Sequence, residues 1–200
     1  MNLNKHNGIS HFKILLLASS CILLSSCIGS IWTGAGLIYD RHSALHSFND
    51  IELNATTSRA LYEDDLFQCP TCHIELAVFN GDVLLAGHVE SIEMREEAYK
   101  RVEKANLKYR RLFKCINTKP YRTHLTRDSW ITAKIRAQII ADSEINPRTF
   151  KIVTADQVVY LMGDVMSDQA NWVIDIAKKT SGVIRVVKLL KYYHLTDQAS

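Results

Sequence analysis

Residues 129–193, SWITAKIRAQIIADSEINPRTFKIVTADQVVYLMGDVMSDQANWVIDIAKKTSGVIRVVKLLKYY, set the architecture. Ile131, Ile135 and Ile139 recur every four residues, one stripe of an amphipathic helix over 129–141. Asp128 or Ser129 can cap its N-terminus. Asn146-Pro147 breaks the chain. Residues 150–153 and 158–161 then read as two strands joined across Ala155-Asp156-Gln157, the second ending at Gly163. A second helix starts at Ser167 or Asp168, with Ala170, Val173, Ile174 and Ala177 on one face. Ser181-Gly182 stops it, since glycine suits a left-handed C-cap. Residues 183–193 form a last strand, so the order is α-β-β-α-β.

The preceding half follows the same plan. Leu53, Thr57 and Leu61 match Ile131, Ile135 and Ile139 at an offset of 78. Val83-Leu84-Leu85-Ala86-Gly87 matches Val159-Tyr160-Leu161-Met162-Gly163 at an offset of 76. The two extra residues fall in the loop holding Cys69-Pro70-Thr71-Cys72. Asn80-Gly81-Asp82 is a hairpin turn. A helix over 92–105 and a strand over 109–116 complete the copy. Each copy, about 65 residues, is marginal alone, so the two are expected to pack together. The expected divisions are 49–117 for the first unit, 118–127 for a linker, 128–194 for the second unit and 195–200 for a tail.

The N-terminus carries a different signal. Lys5, His6, His11 and Lys13 precede an apolar run of 11 residues, 14–24, about half the ~20 a bilayer span requires. It ends in Leu24-Ser25-Ser26-Cys27, which resembles a bacterial lipobox. Cys21 competes, but Ala18 stands three residues before it where Leu24 precedes Cys27. The expectation is a signal peptide over 1–26, lipidation at Cys27 and a tether over 27–48. Acyl chains at about 0.8 kcal/mol per buried methylene would anchor it durably. Ile28 and Gly29 follow the cysteine, with no Asp to retain it at the inner membrane. By resemblance to bacterial lipoproteins, that points to the periplasmic face of the outer membrane.

Charge is lopsided around a formal net of +3. Residues 40–97 carry 12 acidic and 3 basic side chains, and residues 100–136 carry 12 basic and 2 acidic. Either the two stretches attract one another or the basic one faces an anionic partner. Cys69, Cys72 and Cys115 remain after lipidation, and an exported compartment favours disulfides, with the pairing open. Cys-Pro-Thr-Cys also invites a redox reading, but it lies between a helix and a strand rather than at a helix N-terminus, where a thiol pKa falls. Cys69, Cys72, His73 and Cys115 could together ligate zinc. The eight histidines are scattered, no phosphate loop or paired-carboxylate motif appears, and neither catalytic residues, cofactor nor resident metal is expected. The basic block could bind nucleic acid, but an exported lipoprotein rarely meets any, so none is expected as a partner.

Leu161-Met162-Gly163 closing a strand, Ser181-Gly182-Val183 opening another, and Leu85-Ala86-Gly87 in the first copy resemble the BON domain family. The likeness is strongest at Asp128-Ser129-Trp130-Ile131-Thr132-Ala133-Lys134-Ile135-Arg136. In the first copy no glycine matches Gly182, only Asn106 nearby, and the Cys69 to Cys72 loop departs from the family. The resemblance implies an α+β fold: two tandem BON units, each α-β-β-α-β with a small three-stranded mixed sheet covered by two helices. It also implies a non-enzymatic protein whose second unit binds an anionic phospholipid surface through its first helix and Trp130, and which supports envelope integrity.

The residues carry this independently. At 100° per residue, Trp130, Ala133, Ala137, Ile140 and Ala141 fill a sector opposite the isoleucine stripe, with Lys134 at its edge and Arg127 and Arg136 near in sequence. A surface helix needs one apolar face, so the second meets something else. That face either enters the headgroup boundary of a membrane or packs against the first copy as the seam. A further reading is a scaffold that binds an outer-membrane or envelope protein partner through the same surface.

Overall fold

A computed structural model describes residues 41–105, 108–118 and 125–193. Cys27, the 1–26 segment, Asn106, most of the linker and the tail lie outside the described residues. In chain order the elements are α1 (Arg41–Leu61), β1 (His73–Phe79), β2 (Asp82–His88), α2 (Ile92–Lys104), β3 (Arg111–Asn117), α3 (Leu125–Ala141), β4 (Phe150–Ala155), β5 (Val158–Val165), α4 (Ser167–Lys179) and β6 (Arg185–Tyr192). This is α-β-β-α-β twice. α1 begins at Arg41, inside the stretch read as a tether, and α3 begins at Leu125, inside the stretch read as linker.

Each unit holds one three-stranded mixed sheet, ordered β1-β2-β3 and β4-β5-β6. The first pair in each is an antiparallel hairpin and the second is parallel across a helical crossover. The two helices of a unit cover one face of its sheet. Leu61, Leu85, Ala98 and Val102 fill that layer in the first unit. Ile131, Ile135, Ile139, Leu161, Val173 and Ala177 fill it in the second.

The other face of each sheet meets the other sheet. Ala77, Leu84 and Ala86 pack against Val153, Ala155, Val158, Tyr160 and Met162, with Phe79, Phe113 and Leu189 at the margin. The seam is therefore sheet on sheet, and the expected alternative of a seam through Trp130 is overturned. Central strands buried on both faces read as unbroken apolar runs, as Val83 to Ala86 and Val158 to Met162 do.

The two units meet in a pseudo-symmetric way. His88 Nδ1 lies 2.9 Å from each carboxylate oxygen of Asp156. Asn80 Nδ2 donates to Asp164 at 3.5 Å. Asn80 and Asp156 are equivalent at the offset of 76, as are His88 and Asp164, so each hairpin turn reaches the far end of the other unit's middle strand. Arg110 adds a bidentate pair to Asp164 at 2.9 Å.

Gly87 and Gly163 are equivalent too, and both are required by close backbone approach. A Cβ at Gly87, where φ is +107°, would run into the His73 carbonyl oxygen. One at Gly163 would lie 2.5 Å from the Thr149 carbonyl oxygen.

Candidate functional site on the first helix of the second unit

Three sides of α3 are committed to the fold. Ile131, Ile135 and Ile139 are buried in the core. On one flank Thr132 donates to Thr154 Oγ1 at 2.7 Å and Arg136 to the Ile152 carbonyl at 3.1 Å. On the other, Gln138 donates to Thr180 Oγ1 at 3.3 Å.

The expectation that Asp128 caps this helix needs correction. It sits in the first turn, 4% exposed, and its carboxylate accepts the backbone N–H of Asp156 at 2.8 Å and of Gln157 at 2.9 Å. Those residues have φ of +54° and +62°, a primed hairpin turn held by the aspartate. Burial pushes the Asp128 carboxyl up, against the opposing pull of the two N–H bonds. Asp50 does the same in the first unit, accepting Asn80 N–H at 2.7 Å and Gly81 N–H at 2.8 Å. Sequence reading missed this pair. Its signal was an aspartate repeated at the offset of 78 with each turn.

The fourth side faces outward. Trp130 is 62% and Ile140 71% exposed, and Ala133, Ala137 and Ala141 are exposed between them. Lys134 Nζ lies 5.4 Å from the centre of the Trp130 ring, a cation–π distance. Trp130, Ala133, Lys134 and Ala137 thus share one face. Arg127 is nearby but donates to Gln157 Oε1 at 3.0 Å, and Arg136 leans toward the first unit. No helix among the described residues is long and apolar enough to cross a membrane.

The equivalent face of α1 differs. At the offset of 78, Glu52 stands for Trp130, Thr56 for Lys134 and Arg59 for Ala137. The amphipathic frame is shared, while the apolar outer face belongs to the second unit.

Charge pairing separates the units further. Arg101 holds Asp64 at 2.8 Å, Arg110 and Arg111 hold the buried Asp82, and Lys114 holds Glu103 at 2.6 Å. Much of the expected basic block is therefore neutralised inside the first unit. Among the described residues, no lysine or arginine from residue 125 onward enters an ion pair.

Cys69 and Cys72 are disulfide-bonded, their Cα atoms 5.1 Å apart, which excludes pairing of either with Cys115. Cys115 is free on β3 beside the seam, where burial pushes its thiol up. The four-ligand zinc set is overturned on the same ground. The pair follows a short 3-10 turn (Asp65–Phe67) and precedes β1, so no helix N-terminus activates a thiol there.

The BON domain family model matches residues 127–192, the whole of the second unit. The second unit is thus similar to BON domains. The likeness extends beyond it: "Outer membrane lipoprotein DolP" of Haemophilus influenzae is 27% identical over 187 residues, spanning 90% of this chain and 95% of that protein. The "21 kDa hemolysin" of Actinobacillus pleuropneumoniae is 29% identical over 121 residues, 60% of this chain and 62% of that protein. Among solved structures, CdsD, a structural protein of the type III secretion system of Chlamydia trachomatis, has a TM-score of 0.31 at 10% identity, over 74% of this chain and 95% of that one. The BON match begins at Arg127 and thus takes in Trp130, Lys134 and the Asp128 clamp.

Proposed function

We propose that this chain is an outer-membrane lipoprotein, anchored through Cys27 on the periplasmic face, whose second BON unit engages anionic phospholipid through α3 and so supports envelope integrity. The anchor rests on the lipobox and on the likeness to a named outer-membrane lipoprotein. The lipid contact rests on one observation. The outer face of α3 presents an exposed indole among alanines with Lys134 against it, and the repeat-equivalent face of α1 presents Glu52 instead.

An indole at that depth buries its rings among upper acyl segments and keeps its N–H at the headgroups. Near an anionic leaflet each cation contributes about 1 kcal/mol, so Lys134, Arg127 and Arg136 together favour binding by roughly a hundredfold. That suits a protein already tethered by lipid, which needs orientation more than affinity.

The test uses the unlipidated chain, residues 28–200, sedimented with phosphatidylglycerol or phosphatidylcholine vesicles at low and high salt. Salt-sensitive binding to the anionic vesicles alone is expected, with Trp130→Glu abolishing it. Unchanged binding by a folded Trp130→Glu protein overturns the membrane reading. Absence of binding to either vesicle favours the scaffold, with an envelope protein on the same face.

A further inference from the structure

Where the edge strands β1 and β4 meet the N-terminal half of α3, the two units leave a cleft of about 300 Å³. Its polar lining is His73 and Glu75 from β1, Ser129, Thr132 and Arg136 from α3, and Lys151 and Thr154 from β4. Asp128 also borders it.

The anionic members are engaged. Glu75 lies 3.6 Å from His73 Nε2, and both Asp128 oxygens accept backbone N–H groups. Arg136 and Lys151 have no acidic partner among the described residues. Arg136 is fixed by one nitrogen on the Ile152 carbonyl. A positioned guanidinium and an ammonium lining one cleft suit the oxygens of one phosphate group.

Size and charge narrow the ligand. Ligand pockets run from about 300 to 1,000 Å³, so this cleft, at the lower end, suits a headgroup-sized ligand. Glu75 and Asp128 disfavour a dianion, which leaves a singly charged phosphodiester as the better fit. Leu125 and Ala133 also line the cleft, and Ala133 belongs to the outward face that carries Trp130. We propose that the cleft binds the phosphodiester headgroup of a single phospholipid whose chains lie along Ala133 and Trp130. This deepens the membrane reading and rests on it.

The experiment follows backbone amide shifts of the same unlipidated chain on titration with dihexanoyl phosphatidylglycerol below its micelle concentration, and separately with inorganic phosphate. Saturable shifts at Ser129, Thr132 and Lys151 are expected with the short-chain lipid. Arg136→Gln and Lys151→Gln are each expected to weaken it about tenfold, the value of one charged hydrogen bond. Lys178→Gln, on α4 and remote from the lining, leaves the affinity unchanged. Equal saturation of the same residues by inorganic phosphate makes free phosphate the ligand and overturns the lipid assignment. Shifts confined to Trp130 and Ala137, with Lys151→Gln at wild-type affinity, overturn the cleft while leaving the membrane reading intact. Lys151 bears no hydrogen bond or ion pair from its side chain among the described residues, so that variant decides the matter even if Arg136→Gln unfolds.

Discussion

Arg111 and Arg185 stand at the same register position of their sheets, Arg111 opposite Asp82 and Arg185 opposite Val158. In the first unit the arginine holds a buried carboxylate. In the second the carboxylate is a valine and the arginine forms no ion pair. Lys114 and Lys188 repeat the pattern, opposite Leu85 and Leu161. Lys114 reaches Glu103 on α2, whereas the matching place on α4, another 13-residue helix, is Lys178. One skeleton thus carries two charge schemes. The first unit pairs Arg101, Arg110, Arg111 and Lys114 with acidic side chains, and the second leaves Arg185 and Lys188 without an acidic partner among the described residues.

If the skeleton is shared, equivalent glycines must fail together. Gly87→Ala forces a Cβ onto a backbone carbonyl at a positive φ, and a loss of about 4 kcal/mol is expected in denaturant unfolding. Gly163→Ala meets the same kind of obstacle at an ordinary φ and is expected to lose about 2 kcal/mol. Loss at one position with tolerance at the other would break the equivalence of the two sheets.

The charge schemes predict a sharper asymmetry. Asp82 is 2% exposed, and burial alone would raise its pKa. Hydrogen bonds from Arg110 and Arg111 more than offset this and leave its carboxyl below the usual range. Asp82→Ala strands two guanidinium groups, although Arg110 retains Asp164, and is expected to cost about 3 kcal/mol at neutral pH. The sign of the pH dependence follows from the lowered pKa. The contribution is fully present above the unfolded value, about 3.9, and is lost as pH falls through the folded one. The gap between wild type and Asp82→Ala in urea should therefore narrow below about pH 4.

Much of this was legible in the residues. Four-residue isoleucine spacing and the Asn80-Gly81 turn located the repeat, and helical sectors put Trp130 on the outer face. The seam was less so, because Val83 to Ala86 and Val158 to Met162 as apolar runs show burial on both faces without naming the partner. Asp128 misled because an aspartate near a helix start ordinarily caps it, and only the turn 28 residues on reveals the bond. The cleft was invisible for a plainer reason. Its walls come from β1 in one copy and from α3 and β4 in the other, and Lys151 reads as an ordinary strand cation.

The clamp aspartates give a moderate effect in both units. Asp128→Ala leaves two N–H groups of a left-handed turn without their acceptor, a loss of about 2 kcal/mol by thermal unfolding. Asp50 is less buried, so water compensates in part and about 1 kcal/mol is expected. A reversed order would mean that the turns are held by something other than burial of the acceptor.

The smallest expected effect tests the comparison most directly. Arg111→Gln removes one of two partners from a buried carboxylate and is expected to cost about 1–2 kcal/mol. Arg185→Gln removes an exposed arginine that forms no ion pair, so its effect on stability should stay within about 0.5 kcal/mol. Equal losses would mean that Arg185 is as structural as Arg111 and that the charge of the second unit is not available to a ligand. A null result for Arg185→Gln in unfolding, combined with a shallower salt dependence of vesicle binding, would place this cation in the field that an anionic surface meets. The two readouts separate because stability senses only partners within the chain, whereas salt dependence senses partners outside it.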